Sequence, residues 1–64
     1  MISQKEFMYI KSLIETENQL IYRADESYKQ AKESKIKEEL QKFIADVTNQ
    51  RSKLMNILEV QGNE

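Results

Sequence analysis

The stretch Tyr28-Lys29-Gln30-Ala31-Lys32-Glu33-Ser34-Lys35-Ile36 decides how this chain folds, because the apolar pattern running through it changes phase there. Before it, Phe7, Ile10, Ile14, Glu17, Ile21, Ala24, Tyr28 and Ala31 recur at alternating steps of three and four. After it, Ile36, Leu40, Phe43, Val47, Gln50, Leu54 and Ile57 do the same. Such steps place side chains along one face of an α-helix. Continued at its own spacing, the first stripe would meet Lys35, Glu38, Lys42, Ala45, Asn49, Ser52 and Asn56, nearly all polar. The second stripe sits one residue later, a rotation of about 100° on an unbroken helix. A break between Ala31 and Lys35 removes the conflict. The fold class this predicts is all-α, an antiparallel two-helix hairpin, with helix one over about 4–32 and helix two over about 35–60. Folding back at the break sets Ile10 opposite Ile57, Glu17 opposite Gln50 and Ala24 opposite Phe43.

Signals at the ends agree with this division. Ser3 followed by Glu6 is a capping box, in which each side chain satisfies an amide that the first helical turn leaves without a partner. Ser34 is placed to cap the second helix in the same manner. Lys29 and Lys32 fall near the negative end of helix one, and Glu38 and Glu39 near the positive start of helix two. Gly62, the sole glycine in a chain without proline, is expected to close helix two.

Size and composition narrow the rest. A core built from 64 residues seldom supplies more than about 3–5 kcal/mol, so small domains usually need a further source of stability. Neither cysteine nor histidine is present, which removes disulfides and an ordinary structural zinc site. Self-association is the remaining common remedy. Ten basic and eleven acidic residues give a net charge of -1, without the global attraction that nucleic acid or anionic lipid requires. No apolar run approaches the length that a bilayer needs, and the first residues lack the hydrophobic segment of a secretory signal. A cytoplasmic protein without a membrane span is expected.

A second apolar edge accompanies each stripe: Leu13 and Leu20 beside the first, Ile44 and Leu58 beside the second. A lone hairpin has no room for both edges in its seam, and a face this wide belongs to a helix of a bundle. The expectation is a homodimer forming a four-helix bundle, with Leu13, Leu20, Ile44 and Leu58 as the oligomer interface. The alternative is an adaptor that receives a helix from another protein on the same apolar flank.

Glu17 stands out because a carboxylate on the inner stripe of a bundle is how carboxylate-bridged dimetal sites begin. Such sites also need a Glu-x-x-His pair. The corresponding region here reads Asp46-Val47-Thr48-Asn49-Gln50-Arg51, with asparagine where imidazole is required. Glu17, Gln50 and Arg51 are therefore read as a polar core layer that sets register, with a degenerate dimetal site as a remote alternative. Asp25, Glu26, Glu38 and Glu39 read as solvated carboxylates, and Lys29, Lys32, Lys35 and Lys37 are interleaved with acids, which argues against a nucleic-acid patch. Met1, Met8 and Met55 read as gap-fillers at an interface. No nucleophile stands beside a base and no glycine-rich phosphate loop occurs, so neither catalysis nor a cofactor is expected.

The segments Tyr9-Ile10-Lys11-Ser12-Leu13-Ile14-Glu15-Thr16-Glu17, Ser34-Lys35-Ile36-Lys37-Glu38-Glu39-Leu40-Gln41-Lys42-Phe43 and Leu54-Met55-Asn56-Ile57-Leu58, with Gly62, resemble the ferritin-like spore-coat F family of endospore-forming bacteria. The resemblance implies a helical hairpin that completes a four-helix, ferritin-like bundle, and a structural role in sporulation within the spore coat or its assembly. Members often carry a histidine where Asn49 stands here. The functional expectation is a non-enzymatic structural or assembly protein.

Overall fold

The computed structural model describes residues 2–62, with side chains as far as Val60. It is an antiparallel helical hairpin: α1 (Gln4–Gln30) and α2 (Ser34–Gly62), in contact along their length and joined by a three-residue connection, Ala31–Glu33. The expected closure by Gly62 would involve residues beyond it, outside those described, and Met1 also lies outside them.

The start of α1 is the capping box. The Glu6 amide donates to Ser3 Oγ at 3.1 Å, and the Ser3 amide donates to Glu6 Oε1 at 2.9 Å. The end of α1 is set at Ala31, whose backbone is extended (φ -70°, ψ 140°) while its amide still donates to the carbonyls of Ser27 and Tyr28, at 2.9 and 3.3 Å. Sharing one N–H between two carbonyls is common at helix termini. The position expected of Ser34 differs from the one observed. Lys37 donates its amide to the Glu33 carbonyl at 3.1 Å, so Glu33 occupies the cap position and Ser34 is the first helical residue.

Near the turn, Lys29 pairs with Asp25 (3.2 Å) and Glu26 (3.5 Å), and Lys42 with Glu38 (3.9 Å) and Glu39 (3.7 Å). These are exposed pairs three and four residues apart on one helix, a modest local support. The Asp25 carboxylate, first by hydrogen bonding and then by its charge, raises the Lys29 ammonium above its ordinary value.

Side-chain burial shows which faces meet. On α1 the half-buried positions include Ile10, Ile14, Glu17, Ile21 and Tyr28, and Ala24 is buried at 6% exposure. This is the stripe read from the sequence, with Phe7 left exposed near the open end. On α2 the facing positions are Leu40, Ile44, Val47, Arg51, Leu54 and Leu58. Leu40, Val47 and Leu54 were expected there, but Ile36, Phe43, Gln50 and Ile57 are exposed. The second helix is thus rolled by roughly half of a 100° residue step from the facing that its stripe implies. Its apolar surface is wide enough to contain two alternative centre lines, and the hairpin uses the one containing Ile44 and Leu58.

The shape follows from having a single seam. The molecule measures 47 × 14 × 12 Å with a radius of gyration of 14.7 Å, against about 11 Å for a compact domain of this length. Ala24 is the one buried hydrophobic residue among those described.

Two outcomes test the first-turn chemistry. Replacing Ser3 with alanine should destabilise the helical state by about 1 kcal/mol, read from urea unfolding followed by circular dichroism. Glu6 is held below its ordinary value, first by the Ser3 backbone amide and then by the Ser3 side chain. Its contribution is therefore complete above the ordinary carboxylate value and is lost as pH falls through the lowered one. Glu6→Gln should remove that part of the acid-induced loss of helicity.

Candidate functional site: an uncovered apolar face with a polar centre

The two helices form a hairpin with two dissimilar broad faces. One is tied by polar cross-links: Arg51 Nη1 donates to Asn18 Oδ1 at 2.6 Å, and Gln41 Nε2 donates to the Tyr28 hydroxyl at 3.1 Å. Lys37 stands over the Tyr28 ring at 5.5 Å from its centroid, the distance range of a cation–π contact. These contacts fix the helix register, with Asn18 level with Arg51 and Tyr28 level with Gln41.

The opposite face is apolar. Leu13 and Leu20 of α1 and Ile36, Phe43 and Ile57 of α2 keep between 38% and 52% of their surface in water. Leu20, Ala24, Ile36, Leu40 and Phe43 line one hollow on this face, bordered by Arg23 and Glu39. Leu13 and Leu54 line a second with Glu17, Gln50 and Lys53. Ile36, Phe43, Gln50 and Ile57 lie seven residues apart, the heptad spacing by which a helix presents one seam to another helix.

The expected interface residues therefore divide. Leu13 and Leu20 are exposed on the apolar face. Ile44 and Leu58 are half-buried in the intramolecular seam, where Leu58 shares a hollow with Ile14 and Met55. The edge that Ile44 and Leu58 were expected to supply is occupied on α2 by Ile36, Phe43 and Ile57. Their heptad spacing was visible in the sequence, but it marked them equally well as the inner stripe.

The polar layer is also split. Glu17 and Gln50 share the second apolar-face hollow, with no hydrogen bond between them. Arg51 points to the other face and takes Asn18 as its partner, a residue that lay off the stripe and gave no signal. Two side-chain atoms are hidden from water without a hydrogen-bond partner among the described residues: Glu17 Oε1 and Arg51 Nε. Hidden polar atoms in folded proteins are normally paired; Glu17 Oε1 is covered within its own hairpin, while the Glu17 side chain lines the apolar-face hollow beside Gln50. Among the described residues no group of three or more histidine, cysteine, aspartate or glutamate side chains is gathered, and no helix is long and apolar enough to cross a membrane.

The class these features define is a helical hairpin with an uncovered apolar face, polar at its centre. Comparison with protein-family models, curated proteins and solved structures finds no match for the chain.

Replacing Glu17 with leucine tests the layer. If the carboxylate sets register and orientation, Glu17→Leu should leave thermal stability unchanged or raise it, as when hydrophobic residues replace buried ionic groups. A loss of about 3 kcal/mol or more would instead mark Glu17 as one half of a strong buried pair.

Proposed function

We propose that this protein is a non-enzymatic structural or assembly protein that works as a homo-oligomeric helical bundle, two hairpins packing through the face formed by Leu13, Leu20, Ile36, Phe43 and Ile57. The observation that carries this reading is the surface a single hairpin leaves in water. Its accessible area is 5262 Å², whereas a compact folded protein of 7.6 kDa exposes about 4,300 Å². The excess of about 1,000 Å² is comparable to the roughly 800 Å² that each partner buries in a standard interface.

The face also has the pattern that a bundle interior requires. Its apolar residues are heptad-spaced on α2, and Leu13 and Leu20 are one heptad apart on α1. Covering it would give each helix two apolar neighbours, as in four-helix bundles. The resemblance of residues 9–17, 34–43 and 54–58 to the ferritin-like spore-coat F family supports the same assembly, and a use in the spore coat is part of this proposal.

Analytical ultracentrifugation at micromolar concentration should find a mass of at least twice 7.6 kDa, and Phe43→Glu should shift the species toward monomer. A chain that stays monomeric throughout overturns the proposal. A monomer that gains helicity only when an amphipathic helix from another protein is added would identify an adaptor instead.

A further inference from the structure

Resting on the dimer reading above, we infer that the two hairpins pair with their turns at the same end, so that Glu17 of each copy accepts a hydrogen bond from the Gln50 side chain of the other. Two symmetric arrangements bury the same apolar face. With the two-fold axis along the helices, α1 of one copy lies against α2 of the other and both turns share one pole. With the axis across the helices, α1 lies against α1, α2 against α2, and the turns point to opposite poles.

The polar centre separates these arrangements. Glu17 is at the midpoint of α1 and lines the hollow on the open face with Gln50 and Lys53. With turns together, Glu17 faces the partner's Gln50, whose Nε2 can donate to the carboxylate, and the two carboxylates sit diagonally across the layer. With turns opposed, Glu17 faces the partner's Glu17 in a layer shielded from water, where like charges repel most strongly.

The borders of the face add little to this choice. Arg23 stands on the α1 bank of the first hollow. By the Asn18–Arg51 register it is nearly level with Asp46, which lies one heptad from both Glu39 and Lys53 on the α2 bank. Turns together brings Arg23 of one copy beside the partner's Asp46. Arg23 and Asp46 are both exposed, so this pair contributes little, and the choice rests on Glu17, which meets Glu17 when the turns are opposed. The arrangement with a satisfied layer is the favoured one. It yields a bundle whose two ends differ, one carrying both turns and the other both open ends.

The chain contains no native cysteine, so spin labels on Lys32→Cys, in the exposed connection, report the arrangement directly. Turns together should give one pulsed-dipolar distance of about 20 Å, set by helices packed 8–10 Å apart plus the label arms. Turns opposed should give about 45 Å, since Lys32 is fifteen residues from Glu17 at about 1.5 Å rise per residue on each side of the axis. A single long distance overturns this inference while leaving the dimer standing, and the absence of any intermolecular distance overturns the dimer itself. In the Glu17→Gln background the central repulsion is gone, and a second population near the long distance should appear. A distribution unchanged by Glu17→Gln overturns the role given to Glu17.

Discussion

Two helices that touch along one line shield from water only the side chains that face that line, and everything else in this molecule depends on that limit. Each helix carries apolar residues over a wider arc than one seam covers. The seam is filled by Ile10, Ile14, Ile21 and Ala24 of α1 and by Leu40, Ile44, Val47, Leu54 and Leu58 of α2. Leu13, Leu20, Ile36, Phe43 and Ile57 are then left in water as a consequence of geometry. A two-helix chain that stopped gaining stability at this point would leave a large part of its hydrophobic driving force unused.

The same limit organises the polar residues. Both faces carry a polar group near the middle of the hairpin, and the two are not alike. On one face Arg51 finds Asn18, and its long stem lies along the half-buried strip while its guanidinium end reaches the edge. On the other, Glu17 has a hidden oxygen and shares its hollow with Gln50 and Lys53, neither bonded to it. A polar group of this kind costs stability when unpaired and selects one packing arrangement over others when paired. The face that contains it is also the face that leaves its leucines uncovered. Apolar driving force and polar selectivity are thus combined on one surface, as specific helical association requires.

Much of the hairpin was legible in the chain because its signals are local. The phase shift after Ala31, the Ser3–Glu6 box and the stripe through Ile10, Ile14 and Ile21 each rest on residues within a few positions of one another, and periodicity reports such relations directly. The cap of α2 was misplaced by one residue because Ser34 is a good cap by type, whereas the extended backbone through Ala31 hands the first carbonyl to Glu33. The partner of Arg51 was not legible at all. Asn18 carries no mark in the sequence, and only the relative height of the two helices brings it within 2.6 Å.

By itself, then, the amino-acid sequence determined that there would be two helices, where they would break, and that their apolar surface would exceed one seam. Helical spacing follows from the backbone's own geometry, and helix ends follow from nearby side chains. The tertiary structure alone decided how α2 is rolled about its axis. Leu40, Val47 and Leu54 belong to either possible seam, so the sequence left Ile44 and Leu58 competing with Phe43 and Ile57 for the inner position. That choice depends on how the short connection delivers α2 to α1 and on the cross-links from Asn18 and Tyr28. It turns Phe43 and Ile57 outward and leaves Glu17 at the centre of an open apolar face.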